Sequence, residues 1–262
     1  MNHLDKYEKF SKYREECEKD GIVDLSSEHF FFPTTLLPLF DLIRKEKPKI
    51  IFPEDEDVAN YFRTITDGSR FKHAARQRKS YLPIVELPKQ EEETDRILRR
   101  LYEINEEGEE FGGESAFKYL VGEIVDNIYQ HSEFSNALVM AQKYESQAFT
   151  ESCFFDDGLT INGCFRKHGM GRAEDVDAIW DAINGTSTKS KERGFGLNSV
   201  ISIFTDGIEG EVFIVSGRGA ISLTRNDHIR YSLNNAYELS GTLVTVRTPC
   251  PAPVVDIYDY VE

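Results

Sequence analysis

The chain has 262 residues, 40% of them hydrophobic and 12% aromatic, enough for one large core or two ordinary ones and too many for a globally disordered protein. Acidic residues outnumber basic ones 46 to 31, and the resulting net charge of −15 argues against a general nucleic-acid binder and against adhesion to anionic lipid. No stretch approaches the ~20 apolar residues of a membrane span, and the first residues carry no apolar run of the kind a secretory signal needs. The four cysteines (Cys17, Cys153, Cys164 and Cys250) form no C-x-x-C pair, so free thiols in the cytoplasm are expected in place of a disulfide framework or a zinc site.

In chain order, residues 4–20 read as a charged amphipathic helix stopped by Gly21, and residues 22–25 as a short strand. Pro33 suits a first helical position, where its missing donor costs nothing, and it opens an apolar helical pattern over 34–45. A buried strand is expected at 50–52, a helix at 55–65 and a further strand at 81–87. Strands alternating with helices predict a small α/β module over residues 1–88. Its Val23-Asp24-Leu25-Ser26 strand, followed by phenylalanines and a helix, resembles in pattern the STAS domains of anti-sigma-factor antagonists. A polar, acidic run from Lys89 ends this module, residues 91–104 look helical, and the second domain is placed at 89–262.

Four elements of the second domain carry chemistry. The first is a helix starting near Glu114 or Ser115, with Phe117, Leu120, Val121, Ile124, Val125 and Ile128 as its apolar face. Glu123 and Asn127, four apart, project from one side of it. A carboxamide oxygen is a hard ligand suited to magnesium, and a neighbouring carboxylate can orient or deprotonate an attacking group. Glu and Asn at this spacing also fit a plain exposed face.

The second element is a strand over 148–155 that runs into Asp156-Asp157-Gly158. A carboxylate at a strand end can accept a hydrogen bond from an exocyclic amine, and glycine lets a ring approach the backbone. Asp-Gly is equally a common turn dipeptide. The third is Gly185-Thr186-Ser187-Thr188-Lys189-Ser190-Lys191-Glu192-Arg193-Gly194-Phe195-Gly196-Leu197, ahead of an apolar helical stretch over 197–204. Backbone N–H groups at such a helix start, with Thr188 and Lys189, suit phosphate oxygens. The fourth is an alternating strand over 240–249 that contains Gly241-Thr242.

Taken in order, these elements resemble the GHKL ATPase superfamily, and most closely its histidine-kinase and anti-sigma-factor-kinase type, over about residues 106–250. Glu123, Asn127, His131 and Ser132 fall on that family's N box, Asp156 and Gly158 on its first glycine box, Gly194 and Gly196 on its second, and Gly241-Thr242 on its final strand motif. The resemblance implies an α/β (α+β) class of fold: a two-layer Bergerat-type sandwich with a mixed sheet covered by helices on one face. It implies ATP and Mg2+ as cofactors, with a lid over the nucleotide at 159–193. Asn127 would bind the metal, Asp156 the adenine amine, and Gly158 would make room for the ring. Gly194, Phe195, Gly196 and Leu197 would present backbone to the phosphates, with His131, Thr188, Lys189 and Thr242 lining the site. Glu123 would be catalytic.

Gln130 stands where many relatives have a basic residue, Thr160 where they have a second glycine, and Glu192 where they have the first glycine of the second box. These departures bear on phosphoryl transfer more than on nucleotide binding. His3, His29, His73, His168 and His228 lack the His-Glu helical context of a phosphoacceptor, and no heptad pair precedes the domain. Two function classes remain open. One is an enzyme, a regulatory ATPase or a serine/threonine kinase acting on a partner protein. The other is a non-enzymatic switch whose partner surface responds to ATP. Neither nucleic acid nor membrane is expected as a partner, and a homodimer is left open.

Overall fold

The computed structural model describes residues 2–67, 80–105, 113–186, 200–253 and 255. Helix α1 (His3–Asp20) is capped by Asn2, whose side chain accepts the Asp5 N–H while the Asp5 carboxylate accepts the Asn2 N–H. Strand β1 (Ile22–Asp24), helix α2 (Pro33–Glu46), strand β2 (Lys49–Ile51) and helix α3 (Glu56–Thr66) follow. Pro33 lies in the first turn of α2, and the Asp55 side chain caps α3 by accepting the N–H groups of Asp57 and Val58. β1 and β2 form a parallel pair.

Strand β3 (Tyr81–Glu86) leads to helices α4 (Asp95–Ile104) and α5 (Gly113–Asn127), and α5 runs into a π-helical turn, Ile128–Ser132. Strands β4 (Ala137–Tyr144) and β5 (Phe149–Asp156) form a hairpin, followed by helices α6 (Ile161–Lys167) and α7 (Asp175–Ile183). A second π turn, Ile203–Gly207, precedes β6 (Glu211–Gly217), β7 (Gly219–Leu223), β8 (His228–Ser232) and β9 (Leu239–Pro249). Strands β3 to β9 make one seven-stranded sheet in the order β3-β4-β5-β9-β6-β7-β8.

Every neighbouring pair in this sheet is antiparallel, which corrects the expected mixed sheet. The cause is local. β4 and β5 are joined by the short turn Glu145–Gln147 and β6 and β7 by Arg218 alone, and connections this short reverse the chain.

The sheet is covered on both faces, so the expected two-layer arrangement also needs correction. On the front face Val139, Phe154, Val212, Ile214 and Val246 pack with residues of α4, α5, α7 and the second π turn. On the back face Leu138, Met140, Cys153, Phe155, Phe213, Val215 and Leu243 pack with Tyr7, Phe10, Leu36, Leu37, Leu39 and Phe62 of α1, α2 and α3. Each such side chain contributes roughly 1.5–3 kcal/mol by leaving water. Packing therefore runs across the expected boundary at residue 88, and β3, from the first segment, is an edge strand of the main sheet.

Buried charge also fixes the back layer. Lys6 Nζ lies 2.7 Å from Glu151 Oε2, with both side chains fully buried, and the Arg247 guanidinium reaches the same oxygen at 3.1 Å. The Thr34 hydroxyl donates to Glu151 Oε1 at 3.2 Å, and Lys6 Nζ sits 3.8 Å from the centre of the Phe32 ring. A buried pair is tolerable only when it is hydrogen-bonded in this way.

The expected lid at 159–193 is replaced, as far as residue 186, by packed structure. α6 and α7 bury Cys164, Phe165, Val176, Ala178, Ile179 and Ile183. No helix among the described residues is long and apolar enough to cross a membrane.

Candidate functional site

The site lies at one rim of the front face, where three adjacent strands carry polar residues in one row. In register, Asp156 on β5 faces Thr242 on β9, and Thr242 faces Ser216 on β6. The hydroxyls of Thr242 and Ser216 are 3.0 Å apart, and Ser216 Oγ also accepts the Ile161 N–H at 2.9 Å. Ile161 opens α6, and Thr160 caps that helix by accepting the Gly163 N–H at 2.9 Å. The row is thereby joined to the helix that leaves the site.

Two glycines let the chain close around this row. Gly241 adopts φ +98°, a region that side chains avoid, and a Cβ there would collide with the Asp156 carbonyl oxygen. A Cβ on Gly158 would collide with the carbonyl oxygen of Ser132. Ser132 ends the π turn that continues α5, and its carbonyl also accepts the Leu159 N–H at 2.5 Å. The helix bearing Glu123 and Asn127 is thus pinned to the segment bearing Asp156 and Gly158.

Asp156 is the electrostatic centre of the site and is only 3% exposed. Its Oδ1 accepts the Gly158 N–H at 3.0 Å, and the Ser132 hydroxyl donates to the Ile128 carbonyl at 2.7 Å. Burial pushes the Asp156 carboxyl up to about 7, against the opposing Gly158 hydrogen bond and with help from the neighbouring Asp157 charge. A desolvated carboxyl poised near neutrality takes up a hydrogen-bond donor readily, and such groups mark functional sites.

Asp156, Gly158 and Thr242 are therefore brought together. Glu123 and Asn127 lie one turn apart on α5, both partly exposed, and His131 is a partly buried member of the π turn. π turns inside helices recur at functional sites because the extra residue re-aims the side chains beyond it. Thr188, Lys189, Gly194, Phe195, Gly196 and Leu197, expected at the phosphates, lie outside the described residues.

Magnesium ordinarily takes one or two protein oxygens and completes its octahedron with phosphate and water. Among the described residues no group of three or more His, Cys, Asp or Glu stands ready to cage a cation. The single hard oxygen of Asn127 fits a metal that arrives with phosphates.

Sequence reasoning missed Ser216 and the part played by the Ser132 carbonyl. Ser216-Gly217 repeats, after the apolar run Phe213-Ile214-Val215, the pattern of a polar residue and glycine ending a strand that marks Asp156. No protein-family model matches the chain, and neither curated proteins nor solved structures gave a significant match.

Proposed function

We propose that the chain binds ATP with magnesium through a GHKL-type site and acts as a regulatory ATPase or a serine/threonine kinase on a partner protein. The observation that carries this reading is Asp156, a buried carboxyl with no neutralising cation among its described hydrogen-bond partners, set beside a glycine and two hydroxyls at a sheet rim. In its ionised form such a group accepts only, and so discriminates an amine from a carbonyl on a bound ring. The order of elements supports it: α5 with Glu123 and Asn127, the β4–β5 hairpin, Asp156 and Gly158, then β6 to β9 with Thr242.

In this reading Asp156 accepts the adenine amine, and Thr242 and Ser216 line the base. Asn127 holds magnesium, which neutralises phosphate charge when bound. Glu123 orients the acceptor hydroxyl or water. The free thiols of the four cysteines fit the cytoplasmic location proposed with it. The STAS-like pattern of the first segment draws support only from the parallel β1–β2 pair and is carried no further.

Calorimetry with ATP, ADP and GTP in magnesium tests the proposal. Adenine nucleotides should bind and GTP, with a carbonyl in place of the amine, should not. Equal binding of all three, or of none, refutes it.

One observation favours the non-catalytic switch. Thr160, where the family's second glycine would stand, caps α6 and sends the chain directly into packed helices. Labelled ATP separates the two. Phosphate release or protein labelling that disappears in Glu123→Ala supports the enzyme, and tight binding with neither supports the switch.

A further inference from the structure

The residue after the adenine-side carboxylate faces the opposite layer of the protein. Asp157 Oδ1 accepts the N–H groups of Ser135 at 2.8 Å and Asn136 at 2.6 Å, and the Asp157 N–H donates to the Asn136 carbonyl at 3.0 Å. Its other oxygen lies 3.0 Å from Lys45 Nζ, on the last turn of α2. Lys45 Nζ also pairs with Asp41 Oδ2, one turn back, at 2.8 Å. Asp41 is buried, and its Oδ1 has no hydrogen-bond partner. One ammonium group therefore serves two carboxylates, one of which is covalently next to Asp156.

We infer that Lys45 is a positioning residue for the nucleotide site: bound to Asp157, its ammonium group holds the Asp156–Asp157 turn and offsets the Asp157 charge that bears on the carboxylate facing the base. This rests on the reading of Asp156 as the base-recognising group.

The physical case is one of neighbouring charges. Two successive carboxylates at a strand end repel, and each makes the other harder to ionise. Burial disfavours the Asp157 anion too, but the Asn136 N–H, Lys45 and the Ser135 N–H hold its carboxyl below the usual range. Asp157 is thus a standing negative charge beside Asp156, and Lys45 is the cation that meets it. Other charged groups near this turn among the described residues include Lys89, which donates to the carbonyls of Phe134 and Ser135, the Glu133–Lys167 pair between the π turn and α6, and Arg44, next to Lys45 on α2, which pairs with Glu86 at 3.2 Å. Lys89 is spent on carbonyls, Lys167 on Glu133 and Arg44 on Glu86, and among the described residues Lys45 is the cation that the back layer pairs with Asp157. The N-terminal helices thereby reach the nucleotide site from behind.

Two readouts test this on the full chain. The first is the titration of the Asp156 carboxyl carbon by NMR in ligand-free protein, assigned by its loss in Asp156→Asn. Lys45→Met should raise its midpoint by about half a pH unit to one unit, Lys45→Arg should restore it, and Asp157→Asn should lower it. The second is Mg-ATP affinity against pH. Lys45→Met should move the profile upward by the same amount and weaken binding about two- to fivefold at pH 7.

A midpoint unchanged in Lys45→Met, or an equal effect of Lys45→Met and Lys45→Arg, overturns the inference and leaves Lys45 a packing residue. If Lys45→Met does not fold, the downward shift expected in Asp157→Asn and an unshifted Lys45→Arg decide it. Failure of the underlying reading is separate, because wild type itself then binds no adenine nucleotide at any pH.

Discussion

Replacing Asp156 by asparagine removes one buried charge and leaves the size of the side chain almost unchanged, so it separates stability from recognition. The carboxyl titrates at about 7 in the fold against 3.8 as its ordinary value. Its folded-state value is raised, so protonation favours the folded form. The associated stability is fully present below pH 3.8, falls as pH rises, and is gone above about 7. A shift of about three units amounts to roughly 4 kcal/mol of lost stability at pH 8, at ~1.4 kcal/mol per unit. Asparagine keeps an acceptor for the Gly158 N–H but carries no charge, so it escapes this loss.

Urea unfolding of ligand-free protein at pH 5, 6, 7 and 8 measures the difference. The stability of Asp156→Asn relative to wild type should grow by about 1.4 kcal/mol per pH unit up to pH 7 and then level off. In the same variant Mg-ATP affinity should fall at least tenfold, on the order of one charged hydrogen bond. A stability difference independent of pH, or one that shrinks as pH rises, refutes the burial of this charge. Unchanged nucleotide affinity refutes its role.

Breaking the buried pair behind the sheet by Lys6→Met or Glu151→Gln alone should cost about 3–5 kcal/mol, and the double replacement less than the sum, as urea melts of the three variants will show. Gly241→Ala forces a side chain into φ +98° and against the Asp156 carbonyl, and should cost at least 1–3 kcal/mol with a matching drop in Tm. Gly158→Ala should push Ser132 away from Asp156, lowering ATP affinity more than stability in paired calorimetry and melting experiments. Glu123→Ala should keep nucleotide binding and lose phosphate release, measured with labelled ATP.

Much of the local structure is legible in the residues themselves. α1, α2, α3 and β1 to β3 end within one residue of their expected limits, because proline, glycine and aspartate mark the helix ends, but β2, expected to be buried, leaves Ile51 and the following Phe52 exposed. The face of α5 bearing Glu123 and Asn127 follows from its apolar spacing. The second cover on the sheet was harder to see. The run Ala137-Leu138-Val139-Met140-Ala141 shows no polar alternation, which is how a strand buried on both faces reads. Its covering layer includes α1, rich in charge, whose Lys6 meets a carboxylate 145 residues away. Local periodicity carries no trace of such a pairing. The site divides similarly. Asp156 and Gly158 stand out as a carboxylate and a glycine at a strand end, but their alignment with Thr242 and Ser216 depends on the register of strands far apart in the chain.

The place of β9 sets a constraint on how the molecule is made. It is the last strand among the described residues, yet it lies in the middle of the sheet, between β5 and β6. During synthesis β3-β4-β5 and β6-β7-β8 emerge as two incomplete sheets with a gap where β9 will lie. Each carries open edges and apolar faces until the final strand inserts, the condition in which chains aggregate or recruit chaperones. Because Thr242 arrives on that strand, completion of the sheet and alignment of Asp156, Thr242 and Ser216 are one event. A nascent or C-terminally truncated chain that lacks β9 would hold Asp156 and Ser216 without the strand that aligns them.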